Sequence, residues 1–223
     1  MSDSPHTATV IDYYTDMLCV WAWIAQPRLE ELQRQWSKKI EVRHRYVDIF
    51  GDSHNKITNR WGKHDGFEKF GDHVRESAAP YCDTPLHGDI WRRTRPHSSM
   101  PAHLFLKAVS IVAGEETAQT MALRIRRAFF LDARDISQLS LLLDMAKDQR
   151  LDTGELKNSL VDGRAMARLS GDQQHAHELG VKGSPTWVLN DGHQILYGNV
   201  GFRILNANIE ELLKRPGAEA SWC

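Results

Sequence analysis

Residues 11–23 read Ile-Asp-Tyr-Tyr-Thr-Asp-Met-Leu-Cys-Val-Trp-Ala-Trp: a β-type run, a brief loop, then the start of a helical pattern. Cys19 falls at the junction. A thiol at a helix N-terminus faces unpaired backbone N–H groups and the positive end of the helix dipole, which favour an anion. Such a cysteine is expected to lose its proton well below the free-thiol pKa of about 8.5 and to act as a nucleophile. The sequence holds two other thiols, Cys82 in a Pro-rich stretch and Cys223 beside Trp222 at the end. Each reads first as an ordinary side chain and second as a thiol that could resolve a disulfide on Cys19. Most lone cysteines are small buried hydrophobes, so the sulfur needs a site built around it.

Few other residues compete for chemistry. His175 and His177 lie two apart in a helical stretch, point to different faces and make no zinc pair, and no metal site is expected. His64, His87, His97 and His103 are scattered through polar or Pro-rich sequence and read as solvated surface. No dinucleotide fingerprint, P-loop or nucleophile elbow is present. Gly183-Ser184-Pro185-Thr186 could be nothing more than a trans-proline opening a strand.

The elements that must position these residues follow from periodicity. Thr7–Tyr14 reads as a buried strand, a helix runs from Val20 with a kink expected near Pro27, and Ile40–Asp48 alternates as a second strand. Strand, helix and strand make a βαβ unit. Phe50–Arg60 is polar and reads as a loop. From Trp61 to Leu179 the pattern is helical, with segments from Pro101 to Gly114, Glu115–Leu131, Ser137–Arg150, Thr153–Leu160 and Gly163–Leu179. Pro80–Met100 carries three prolines and reads as irregular. Pro185–Asn190 is a β run closed by Asp191-Gly192, a two-residue hairpin signal, and Gln194–Tyr197 returns. Leu205–Lys214 is a last amphipathic helix, followed by a tail.

Composition bounds the partners. The 223 residues carry 28 basic and 29 acidic side chains, a net charge of −1, so no overall field recruits nucleic acid or a membrane surface. No apolar run approaches about 18 residues and no signal-peptide core opens the chain. Three cysteines are too few and too scattered for a secreted disulfide framework, which points to a reducing cytoplasm.

Asp12 to Ala22 resembles the active-site strand and turn of the DsbA-like thioredoxin-fold family. Gly183-Ser184-Pro185-Thr186 resembles the loop that carries a cis-proline in thioredoxin-like proteins. The resemblance implies an α/β thioredoxin-like fold, β-α-β then β-β-α, with a large α-helical insertion. Residues 1–55 and 180–223 would form the thioredoxin-like domain and residues 56–179 the insert. Cys19 would then be the nucleophile, with Pro185 beside its sulfur. Trp21, Ala22 and the backbone of Ser184, Pro185 and Thr186 would bind an extended peptide or glutathione.

The departure lies at position 22. Family members usually carry Cys-x-x-Cys, and here the motif is Cys-Val-Trp-Ala. A mixed disulfide on Cys19 then needs an outside thiol, or Cys82 or Cys223, to resolve it. The implied activity is single-cysteine thiol–disulfide exchange, with glutathione as co-substrate and no tightly bound cofactor. A second implied activity is that of the 2-hydroxychromene-2-carboxylate isomerases and kappa-class glutathione transferases. These relatives share the scaffold, bind glutathione, and commonly carry serine at the Cys19 position. Tyr197–Arg203 is similar to their glutathione-contacting segment but lacks its acidic residue, and a homodimer is one assembly they imply. A third reading is a non-catalytic binding module that has kept the scaffold.

Overall fold

A computed structural model describes residues 8–214. Strand β1 (Thr9–Thr15) pairs in parallel with β2 (Ile40–Tyr46), in register from Thr9↔Ile40 to Thr15↔Tyr46. Between them run α1 (Val20–Ile24) and α2 (Gln26–Trp36), completing the βαβ unit. The helix divides at Ala25, just before Pro27. A proline lacks the N–H that an inner turn would use, but the first turn of α2 has no need of it.

Seven helices follow before the sheet resumes: α3 (Ser53–Trp61), α4 (Gly66–Ala78), α5 (Met100–Ala113), α6 (Glu115–Phe130), α7 (Leu139–Asp148), α8 (Thr153–Val161) and α9 (Arg164–Glu178). The chain then returns through β3 (Thr186–Leu189), β4 (Gln194–Tyr197) and α10 (Phe202–Lys214). Strand order is β2-β1-β3-β4, with β1·β3 and β3·β4 antiparallel. This is a thioredoxin-like fold with a large helical insertion. Among the described residues, no helix is long and apolar enough to cross a membrane.

Two apolar clusters organise the packing. In one, Ile11, Tyr13, Val42, Trp187 and Leu189 of the sheet meet Leu29 and Leu32 of α2 and Leu205, Ile209 and Leu212 of α10. In the other, Met17, Leu18, Val20, Ala22, Trp23 and Ile24 are buried among insert residues such as Phe105, Met121, Ile125, Phe129 and Phe130. The insert is thus one wall of the turn that carries Cys19.

The insert also closes a sheet edge. Gln119 Nε2 donates to Val42 O at 2.7 Å and Lys107 Nζ donates to His44 O at 3.1 Å, while Tyr46 N–H donates to Asp172 Oδ2 at 2.9 Å. With these groups capped, β2 offers no free ladder for a fifth strand.

Several local expectations are corrected. Phe50–Arg60 is not a loop: α3 begins there, capped by the Asp52 side chain accepting from Asn55 N–H, with Ile57 as its buried anchor. A polar stretch with one apolar residue per turn or two gives little periodic signal, and the cap decides it. The β3–β4 connection is four residues long, not two, since Leu189 pairs with Gln194. Asn190, Asp191 and Gly192 all take positive φ (52°, 51° and 96°), the left-handed region these residue types tolerate. The last helix starts at Phe202, three residues earlier than its amphipathic pattern suggests. Residues 79–99 are irregular as expected.

Candidate active site

Cys19 directly precedes α1 with extended backbone geometry, φ −80° and ψ 117°. Its N–H donates to Asp16 O at 3.2 Å and its carbonyl accepts from Trp23 N–H at 3.1 Å, which fixes the turn on both sides. The Cys19 Sγ lies 3.0 Å from Ser184 O and donates its thiol proton there. The next peptide, Ser184–Pro185, is cis. The fold therefore brings together the two motifs that stood far apart in sequence.

The neighbours of Pro185 have separate duties. Ser184 Oγ accepts from Asp16 N–H at 2.9 Å, tying the loop to the turn before Cys19. Pro185 O accepts from Gly198 N–H at 2.8 Å, and the buried Thr186 hydroxyl donates to Gly183 O at 2.9 Å. Thr186 is paired with Tyr14 on one side and Tyr197 on the other, so its backbone belongs to the ladder. Ser184 lies beyond the end of that ladder, its carbonyl accepting from the Cys19 thiol and its hydroxyl from Asp16 N–H.

Ala22 is fully buried, and Trp21 is half-buried in α1. Trp23 stacks on Phe130 at 5.5 Å between centroids, and its Nε1 donates to Pro85 O at 3.2 Å. That bond brings the irregular segment of the insert to the Cys19 helix. Cys82 is exposed, its Sγ 3.8 Å from Asp83 Oδ1, in a shallow groove with Tyr81, Thr84 and Pro85. No contact with Cys19 is formed among the described residues, and Cys223 lies outside them. In the Tyr197–Arg203 segment, Asn199 accepts from Arg28 and donates to the Tyr81 hydroxyl, while the Arg28 guanidinium sits 5.7 Å from the Tyr81 ring centroid.

Burial pushes the Cys19 thiol above its ordinary pKa. Hydrogen bonds from the Ser184 side chain and the Ala22 and Trp21 backbone oppose the rise, and the Asp16 charge adds to it. This is the reverse of the direction expected at a helix N-terminus. Helix α1 has only five residues and the cysteine is 5% exposed, so desolvation outweighs the dipole.

Three buried polar residues around this turn escaped the sequence reading. Asp16 was legible only as a strand breaker. Its carboxylate accepts from Leu18 N–H at 2.8 Å, Phe50 N–H at 2.8 Å and Ser99 Oγ at 2.7 Å. Burial raises this carboxyl to about 6 against the pull of those donors. His103 is fully buried rather than solvated, whereas His64, His87 and His97 are exposed. Its Nε2 accepts from Met17 N–H at 3.1 Å and lies 3.9 Å from Asp16 Oδ1. Burial, then the charges of Arg126 and Lys107, hold His103 down to about 3, so the ring is neutral. Arg126 of α6 is also fully buried, donating to Gln26 Oε1 at 2.9 Å and to Thr15 Oγ1. The position of Asp16, three residues before the cysteine, was the one available signal. Nothing in sequence marks Arg126 or His103.

A model of the DSBA-like thioredoxin domain matches residues 10–210. The chain belongs to that family. A curated relative, the ClpXP adapter protein SpxH of Bacillus subtilis (strain 168), is 22% identical over 184 residues, covering 82% of this chain. The chain spans 58% of the length of that relative. Among solved structures, one from Nitrosomonas europaea superposes with a TM-score of 0.77 at 18% identity, covering 95% of this chain and 100% of the other. The cytosolic disulfide reductase DsbM of Pseudomonas aeruginosa gives 0.68 at 20% identity, with coverages of 90% and 98%. A 2-hydroxychromene-2-carboxylate isomerase gives 0.67 at 18% identity, with coverages of 92% and 97%. At these identities the structures share the fold.

Proposed function

We propose that this chain is a thiol–disulfide oxidoreductase that works with one active-site cysteine and uses glutathione as its resolving thiol. The observation that carries the reading is the 3.0 Å contact between Cys19 Sγ and Ser184 O, beside Pro185, with Ala22 where a second thiol would stand. A disulfide reductase among the structural neighbours supports it, and a reducing cytoplasm would supply the glutathione.

The chemistry is a two-step exchange. The Cys19 thiolate attacks the glutathione sulfur of a mixed disulfide R–S–S–G. A Cys19–glutathione bond forms, the substrate S–S bond breaks, and R–S⁻ leaves and takes a proton. A glutathione thiolate then attacks the glutathione sulfur on Cys19, which departs as thiolate. The net reaction is R–S–S–G plus glutathione giving R–SH plus glutathione disulfide. Burial keeps Cys19 protonated in the free protein. A peptide-like substrate whose N–H meets Ser184 O takes over the carbonyl that the thiol now occupies, and frees the sulfur.

The test is reduction of a glutathione mixed disulfide by the full chain. Cys19→Ser abolishes it and Cys82→Ser leaves it intact. Activity that survives Cys19→Ser sinks the reading, and a wild type that reduces nothing leaves the scaffold as a binding module, a role in keeping with the adapter relative.

One observation favours a second reading. A buried, protonated Cys19 with no partner cysteine suits a site that binds a glutathione thiolate without exchanging with it. That is a glutathione-dependent isomerase, like one of the structural neighbours. It predicts turnover of an aromatic isomerase substrate with no disulfide consumed.

A further inference from the structure

Arg28, on the first turn of α2, is half-buried and has no carboxylate in ion-pair contact among the described residues. The acids beside it in sequence are engaged elsewhere: Gln26 Nε2 donates to Glu30 Oε1, and Arg34 donates to both oxygens of Glu31. Arg28 Nη1 donates to Asn199 Oδ1 and, at 3.4 Å, to Ile24 O, while the guanidinium lies 5.7 Å from the Tyr81 ring centroid. Both bonds use Nη1. The Nε and Nη2 edge, the fork that matches a carboxylate, has no protein partner among the described residues.

Two tethers place that edge within reach of the cysteine. Ile24 ends α1, which starts directly after Cys19 and is only about 7.5 Å long at 1.5 Å per residue. Asn199 follows Gly198, whose N–H donates to Pro185 O at 2.8 Å, one residue on from the Ser184 carbonyl that holds the thiol. Burial raises the Tyr13 hydroxyl, and the lesser influences on it include the charges of both Cys19 and Arg28. An extended peptide advances about 3.3–3.6 Å per residue, so a carboxylate two residues from a sulfur lying on Cys19 spans the gap.

We propose that Arg28 is the specificity residue of the Cys19 site and takes a carboxylate of the glutathione moiety through its Nε and Nη2 edge. This rests on the reading of Cys19 as a nucleophile towards glutathione mixed disulfides. Asn199 serves by being neutral: it fixes the guanidinium without consuming its charge, as an aspartate there would. The Asn199 amide also donates to the Tyr81 hydroxyl, which joins the insert to this arrangement. The insert segment is fixed to α1 as well, through Trp23 Nε1 donating to Pro85 O at 3.2 Å.

The experiment is a single turnover of the full chain carrying Cys82→Ser and Cys223→Ser, without added glutathione. The substrates are mixed disulfides of one chromophoric aryl thiol with glutathione and with glutathione diethyl ester, which differ only at their carboxylates. The Cys19 thiolate attacks the glutathione sulfur, the S–S bond breaks and the aryl thiolate leaves, so its absorbance gives a half-saturating concentration and a limiting rate. This parent chain should half-saturate at about ten-fold lower concentration with the free acid than with the ester, at similar limiting rates. Arg28→Met should bring the two substrates within about two-fold of each other, and Arg28→Lys should retain part of the difference. Asn199→Asp, which neutralises the guanidinium without removing it, should act as Arg28→Met does, and it decides alone should the Met variant fail to fold. A merely structural arginine would shift both substrates alike. That result, no preference in the parent chain, or a preference that survives Arg28→Met overturns the inference and leaves exchange at Cys19 standing. A parent chain that releases no aryl thiolate from either substrate overturns both.

Discussion

Asp16 Oδ2 accepts a 2.7 Å hydrogen bond from Ser99 Oγ, so a carboxylate three residues before Cys19 is anchored to the residue that leads into α5. The cost of that placement is a carboxyl raised from 3.8 to about 6 by burial. The fold favours its protonated form. The stabilisation is full below the unfolded value and is lost as pH rises through the folded one, on the order of 3 kcal/mol across the window. Asp16→Asn should remove this component. Its urea midpoint should then climb more steeply than wild type between pH 4 and about 6, and parallel curves would contradict the assignment.

His44 and His103 work in the opposite sense. Burial and then the Arg126 charge lower both from 6.5 to about 3. Their stabilisation is present above the unfolded value and is lost as pH falls towards the folded one. Each contributes a slope of about 1.4 kcal/mol per pH unit within that window. Near pH 5 the two histidines outweigh Asp16 by about one proton, so wild-type stability should fall on acidification. His44→Gln should flatten the curve there. A slope unchanged in that variant would show that His44 protonates freely in the native state.

The fold was legible because periods and breakers were local. The alternation from Ile40 to Tyr46, Pro27 at a helix break and the turn residues around Asp191 each carry their own signal. The Cys19–Ser184 pairing was legible only through a family resemblance joining two short motifs. The buried network was not legible at all. Whether Asp16, His103 and Arg126 are buried depends on how α5 and α6 stack on β1, and no single segment records that. The thiol was misjudged for the same reason: local geometry favours an anion, while the desolvation that wins comes from the insert.

A stability prediction concerns the β2 edge. Asp172 is 3% exposed and takes Lys107 Nζ at 2.6 Å, Arg45 Nη1 at 3.4 Å and Tyr46 N–H at 2.9 Å. Asp172→Ala leaves the buried Lys107 ammonium without its carboxylate and uncaps β2. The expected loss is about 3–5 kcal/mol, as for a broken buried pair, read as the shift in urea unfolding at neutral pH. A loss under about 1 kcal/mol would mean that Arg45, held also by Asp12 at 2.7 Å, carries the edge unaided.

Ala22→Cys tests directly what the missing thiol means. The new side chain sits three residues after Cys19 on the first turn of α1, the spacing of the usual Cys-x-x-Cys pair. Wild type exposed to glutathione disulfide should accumulate a glutathione adduct on Cys19, since no thiol within the motif can expel it. In the variant, the introduced thiolate attacks that adduct and releases glutathione, leaving a disulfide between Cys19 and the new side chain. Intact mass and peptide mapping separate the two products. Position 22 is fully buried, so the larger side chain should cost about 1–3 kcal/mol, which thermal unfolding of the reduced variant would register independently. An adduct found only on Cys82 in wild type would remove Cys19 from the exchange, and the absent partner would then mark a scaffold that has left redox chemistry.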